Sequence, residues 1–391
     1  MLFIILGVIT IQELQSLFSQ YNEKNLSGRF IHNEDILPLL DDLRDKLEIM
    51  EIGRSVLNKP IFSIEFGKGN NRVLMWSQMH GNESTTTKAV LDLLNTVTGD
   101  STNKLQSIMN TCRICIIPIL NPDGAETYSR LNANSIDLNR DAQDLTQPES
   151  LVLREVFNQF KPHYCFNLHG QRTIFSAGKK NSPAVVSFLA PAQDKECSIT
   201  HTRKLAMEIV AVMNKNLQQQ IPDQVSVYDD SFNINCVGDT FQSLNVPTIL
   251  FEAGHYPNDY LREKTRELIY QSLFIALLYI SNHEITGENY KDYFLIPENN
   301  NLFFDVILRE ANNNGTIEDI AIQFEELLIN GKIEFIPYIK KTGKLTSYYG
   351  HKEVVLKKRT IQVKQNVSNN GIEIVIVNKN SENKPLIIKE F

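Results

Sequence analysis

The chain has 391 residues, of which 42% are hydrophobic and 22% charged, enough apolar content for one large buried core and a smaller satellite unit. Its formal charge is −7, with basic residues scattered among acidic ones, which argues against nucleic acid or an anionic membrane surface as a partner. Five cysteines, Cys112, Cys115, Cys165, Cys197 and Cys236, make an odd number with no disulfide framework and read as core thiols of a reducing compartment.

The first ten residues, MLFIILGVIT, form an apolar run with no basic residue ahead of it and no small-residue cleavage pattern behind it. A membrane span needs about 20 apolar residues, and an export signal needs those missing parts, so the expectation is a cytoplasmic chain with no membrane span. Residues 11–50 carry helical spacing in IQELQSLFSQY and DILPLLDDLRDKLEI and read as covering helices. From residue 54 short apolar runs alternate with amphipathic stretches: RVLMWSQM, TTTKAVLDLLNTV, RICIIPIL, YCFNL, HTRKLAMEIVAVMNKNL, VPTILFEA and the long apolar ELIYQSLFIALLYISNH. That alternation predicts an α/β sheet with helices on its faces. After about residue 290 the runs lean to β: LFFDVIL, IEDIAIQFEELL, GKIEFIPYI, VVLKKRTIQV and GIEIVIV, with NNNG, NG, SNNG and NKNSENK as turns between them. The reading is therefore two units, a catalytic domain over 1–290 with its N-terminal helices and a β-rich accessory domain over 291–391. His351 and the Lys-rich KEVVLKKRTIQVK read as a solvated strand face.

Four of the strand runs end in a polar cluster: HGNE after MWSQM, NPDG after CIIPIL, HGQR after CFNL and EAGH after TILF. Ligands of open α/β sheets sit outside the carboxyl ends of the strands, so the four clusters are expected to converge. Two histidines and a glutamate with one open position form a known catalytic zinc set. His80, Glu83 and His169 supply it, and HxxE alone would be a weak signal. Glu252, after a wholly apolar strand, is the candidate general base, since an ionised carboxylate there is costly without a partner. In NPDGAETYSRLNANSIDLNRDA, Arg130, Asn139 and Arg140 offer two guanidiniums and an amide to an anionic group, and Asp137 is placed to orient a ligating histidine.

In combination and order, HGNE, NPDG with RLNANSIDLNRD, FNLHG and TILFEAG resemble the zinc carboxypeptidases of the carboxypeptidase A superfamily, over roughly residues 55–285. The resemblance implies an α/β three-layer sandwich with a mixed, mainly eight-stranded twisted sheet. It also implies a metallocarboxypeptidase that releases C-terminal residues from peptides bearing a free carboxylate. By the same resemblance one Zn²⁺ per chain is held by His80, Glu83 and His169, Glu252 is the general base, and Arg130 polarises the carbonyl. Asn139 and Arg140 grip the terminal carboxylate, and Asp137 orients a metal ligand from behind. Asp239, beside Gly238 and Thr240, is a candidate for the side-chain pocket, where it would select a basic residue.

The sequence departs from the digestive members in three ways. Asn82 stands where they carry an arginine between His and Glu. FNINCVGDTF lacks their closing tyrosine, and Tyr228 lies too early to be assigned to it. The segment from Glu83 to His169 is compact. An amide hydrolase of the same superfamily acting on a murein peptide, an acylated amino acid or polyglutamate is the alternative. A catalytically silent peptide- or glycan-binding module would have lost a ligand or the base, and neither is lost. No G-x-S-x-G elbow is present.

Overall fold

The computed structural model describes residues 9–365, 372–377 and 384–386; the apolar run at 1–8, the SNNG turn and residues 378–383 of NKNSENK lie outside them. The strands are β1 Glu48–Arg54, β2 Pro60–Phe66, β3 Asn71–Ser77, β4 Cys112–Ile117, β5 Tyr164–Gly170, β6 Phe175–Ala177, β7 Val186–Leu189, β8 Val225–Val227 and β9 Thr248–Ala253, then β10 Asn299–Asn301, β11 Phe303–Asn313, β12 Thr316–Ile329, β13 Lys332–Gly343, β14 Tyr349–Val355, β15 Thr360–Gln365, β16 Ile372–Val377 and β17 Lys384–Leu386. The helices are α1 Ile11–Tyr21, α2 Asn33–Leu43, α3 Thr85–Gly99, α4 Asn103–Thr111, α5 Pro122–Glu126, α6 Pro148–Phe160, α7 His201–Leu217, α8 Val237–Ser243 and α9 Glu263–Asn282.

α1 begins where Thr10 Oγ1 accepts from Glu13 N and Glu13 returns the bond to Thr10 N, which satisfies two otherwise orphaned donors. The helical reading of DILPLLDDLRDKLEI holds only to Leu43. Residues from Glu48 form β1 instead, because Ile49 is held opposite Ile64 in an antiparallel pair with β2, and tertiary pairing overrides local periodicity.

One mixed eight-stranded sheet runs β1-β2-β4-β3-β5-β9-β7-β8. β3 shows why it is covered on both faces. Val73 and Met75 join a core built with α1, α3, α4, α7 and α9, whereas Leu74 and Trp76 join one built with Phe157, Phe160 and Phe241 of α6 and α8. Successive side chains point to opposite faces, so a fully apolar strand needs a helical layer on each. Each such buried large side chain contributes about 1.5–3 kcal/mol. α9 lies inside one layer, with fifteen of its residues buried, which accounts for its unbroken apolar sequence.

The C-terminal region forms a second sheet, β13-β12-β11-β15-β16-β17, with β14 also paired to β11. Its two long hairpins turn on Asn314-Gly315 and Asn330-Gly331, all four with positive φ, as a two-residue type I′ turn requires. This sheet packs on the loops that leave β5 and β9. β10 pairs with β6, and Phe303 N donates to Ile174 O. The reading of His351 as solvated is corrected here: its ring lies 4.4 Å from that of His255 and 4.7 Å from that of Phe303, and its Nε2 lies 2.6 Å from Thr173 O. Strand periodicity gives the face of a residue but not what covers that face. The five cysteines are free, with Cys112, Cys115 and Cys165 buried.

Candidate metal centre

β4, β3, β5 and β9 run parallel and adjacent, so HGNE, NPDG, HGQR and EAGH meet at one sheet edge. His80 leaves β3 through a turn opened by Gln78 at φ 46°. Gln78 is fully buried; its Nε2 donates to Ile31 O and Gly81 O, and its Oε1 accepts from Thr87 Oγ1. Gly81 packs backbone against backbone, because a Cβ there would stand 1.9 Å from Gly124 C. Only glycine allows that approach. Asn121 closes the second turn by accepting from Gly124 N and donating to Met79 O.

His80 Nδ1 lies 2.9 Å from Glu83 Oε1 and 3.1 Å from His169 Nδ1, and His169 Nδ1 lies 2.8 Å from Glu83 Oε2. Both histidines are 2% exposed. Two imidazole nitrogens and a carboxylate thus face one point, and among the described residues this is the group that could hold a metal ion. The donor set fits zinc, a tetrahedral cation bound by nitrogen and oxygen with one position left open. Behind it, His80 Nε2 lies 3.0 Å from Asp137 Oδ1, which fixes that ring's orientation. Asp137 Oδ2 accepts from Arg130 Nε and Nη2, and Arg130 Nη1 reaches Glu83 Oε1 at 3.3 Å.

Burial works against the Glu83 carboxylate, but the charges and hydrogen bonds of His80 and His169 outweigh it and hold Glu83 below the usual carboxylate range. Glu252 goes the other way. It sits opposite His169 in the β5/β9 register, its Oε2 is buried without a hydrogen-bond partner, and burial followed by repulsion from Glu83 pushes its carboxyl well above the ordinary value.

Farther out, Asn139 Oδ1 accepts from Val237 N. The exposed Arg140 places Nη1 2.7 Å from Asn139 O and 3.1 Å from Cys236 Sγ. The 137–140 segment is thereby joined to the start of α8. Asp239, in the first turn of α8, is 7% exposed and accepts from Asn233 N; burial raises its carboxyl to about 6.

Residues 36–229 match the family model described as zinc carboxypeptidase. The chain carries a zinc carboxypeptidase domain. Carboxypeptidase 2 of Trichophyton rubrum is 29% identical over 112 residues, 29% of this chain and 20% of that protein. Carboxypeptidase E of Caenorhabditis elegans is 30% identical over 119 residues, 25% of each. The chain therefore spans only about a fifth to a third of the curated relatives it matches. Among solved structures, a metallo-carboxypeptidase from Burkholderia cenocepacia superposes with a TM-score of 0.51 at 18% identity, covering 63% of this chain and 68% of that one. Thrombin activatable fibrinolysis inhibitor gives 0.52 at 14% identity, covering 70% and 81%. At these identities the likeness is one of fold.

The carboxypeptidase domain also brings Tyr228 to the site, a residue the sequence left unassigned. Burial and then the charges of Glu252 and Glu83 raise its hydroxyl well above the ordinary value, and its ring packs 5.5 Å from Phe175. The strand that precedes it, β8, is three residues long, too short for a periodic signal. Asn82, between His80 and Glu83, keeps a buried Oδ1 without a partner. No helix among the described residues is long and apolar enough to cross a membrane.

Proposed function

We propose that the chain is a zinc-dependent metallocarboxypeptidase that hydrolyses the C-terminal bond of a peptide or peptide-like substrate with a free carboxylate. The observation that carries the reading is the convergence of His80 Nδ1, Glu83 and His169 Nδ1 beside an unpartnered Glu252 Oε2. One zinc ion held by those three ligands would supply a Lewis acid that polarises the scissile carbonyl and sharpens the acidity of water. Glu252 takes the proton at Oε2 and returns it to the leaving nitrogen, a role that suits a carboxyl whose proton affinity is raised. Arg130 donates to the carbonyl oxygen as charge builds there. Asn139 and Arg140 hold the terminal carboxylate, Asp137 keeps His80 oriented, and Asp239 with the start of α8 borders the side-chain pocket. The catalytic part is proposed to span 1–290 and the β-rich accessory part 291–391.

Asn82, in place of an arginine, favours one second reading: the same hydrolytic centre acting on a murein peptide, an acylated amino acid or a polyglutamate tail. Zinc content by elemental analysis, with hydrolysis of N-blocked dipeptides before and after a chelator, tests both. About one zinc per chain with chelator-sensitive release of the C-terminal residue supports the first reading. Zinc without release moves the substrate to the second, and no zinc leaves a silent binding module.

A further inference from the structure

The C-terminal sheet contributes a carboxylate to the neighbourhood of the metal centre. Glu326, on β12 opposite Phe335 of β13, points off its sheet into the peptidase fold. Its Oε1 accepts from Arg29 Nη1 at 2.8 Å and its Oε2 from the Tyr128 hydroxyl at 2.5 Å. Both partners lead to the site by short paths. Arg29 O accepts from Ser84 Oγ at 2.6 Å, and Ser84 follows Glu83 directly. Tyr128 lies two residues before Arg130, whose guanidinium bridges Glu83 and Asp137.

Tyr128 is held in an uncommon conformation, with φ at 53° while its side chain is 8% exposed. A bulky residue stays in the left-handed region only where its surroundings over-determine it. Here that turn reverses the chain after α5: Tyr128 N donates to Ala125 O, and Ser129 N donates to Gly124 O at 2.7 Å. The reversal sends Arg130 back toward Glu83. Without Glu326, the Tyr128 hydroxyl and the Arg29 guanidinium would be left without this acceptor, and Arg29 and Arg262, whose charges repel each other, would lose a carboxylate that both act on.

We infer that Glu326 is a positioning residue for Arg130: by anchoring Tyr128 and Arg29 it fixes the left-handed turn that aims Arg130 at the metal centre, making the C-terminal sheet part of the active centre. The inference rests on the hydrolytic role proposed for Arg130, so its test carries one arm that needs no turnover.

Deuterium exchange is measured on the full, zinc-loaded chain in wild type, Glu326→Gln and Tyr128→Phe. Tyr128→Phe removes one oxygen and keeps the ring in its place. Peptides covering 124–131 are expected to exchange roughly tenfold faster or more in both variants, with 164–170 unchanged. Unchanged exchange at 124–131 in both overturns the inference, whatever the chain hydrolyses, whereas a wild-type chain that hydrolyses nothing overturns the functional reading alone. In turnover, kcat falls roughly tenfold to hundredfold with KM little changed, and Tyr128→Phe costs nothing further in an Arg130→Ala background. An equal loss in both backgrounds would mark a merely structural contact and overturn the inference.

Discussion

Gly81→Ala isolates the geometry on which the proposed metal centre depends. The added Cβ would lie 1.9 Å from Gly124 C, 2.1 Å from Ala125 N and 2.4 Å from Gly124 O. All three are backbone atoms that cannot rotate away. Ordinary contact begins at 3.4 Å, so the HGNE and NPDG turns must part by 3.4 Å less 1.9 Å, about 1.5 Å. Overpacking of this kind costs about 1–3 kcal/mol of stability. The larger effect falls on His80, one residue away, whose Nδ1 would leave the common point it shares with Glu83 and His169. A displacement of about 1 Å costs on the order of 10²-fold in turnover, and a comparable disturbance of ligand orientation costs about 10–100-fold in metal affinity. Zinc competition against a chelator of known affinity, paired with a thermal midpoint, reads both. Zinc affinity and turnover within about twofold of wild type would refute the claim that this backbone contact aims His80.

Glu252→Gln is expected to retain one zinc per chain while kcat falls about 10²–10⁴-fold, and an active variant would remove Glu252 from the role of base. Asp137→Asn keeps an acceptor near His80 Nε2 but removes its charge, so zinc affinity should drop about 10–100-fold, checked by the same competition. The contact between the two sheets should be acid-sensitive. Burial holds His255 far below 6.5 and His351 down to about 4. Each histidine stays neutral in the fold and protonates near 6.5 once unfolded, so its contribution is whole above that pH. It drains as pH falls toward 4, at up to about 1.4 kcal/mol per pH unit per group. Asp305, raised to about 6 by burial, opposes this by favouring the fold as pH drops from about 6. Replacing His351 with Phe should flatten the decline of the urea midpoint between about pH 6.5 and 4.5, and an unchanged slope would contradict it.

The convergence of the four polar clusters was legible because each contributing strand is an apolar run cut off by a polar cluster, and parallel neighbours must bring such ends together. RVLMWSQM, RICIIPIL, YCFNL and VPTILFEA became β3, β4, β5 and β9 within a few residues. The Asn-Gly hairpins were equally legible, since few other residue pairs accept two positive φ values in succession. β8 and β7, of three and four residues, were not visible, because so short a strand carries no periodicity. Nor was β1, whose apolar spacing mimics the end of a helix until β2 pairs with it. Tyr228 was noticed but given no role, and Glu326 went unnoticed, for a related reason: within VSVYDD or IQFEELL neither differs from a residue on a solvated strand end. What distinguishes them is a partner more than 20 residues away for the first and 198 away for the second.

The central claim, that His80, Glu83 and His169 hold zinc, is most directly tested by X-ray absorption at the zinc edge on the reconstituted chain and on its His169→Ala variant. Two imidazole nitrogens near 2.0–2.1 Å with a carboxylate oxygen near 2.0–2.2 Å, and the loss of one imidazole in the variant, are the results expected here. A spectrum dominated by sulfur near 2.3 Å, or one that His169→Ala leaves unchanged, would place the metal elsewhere and contradict the account.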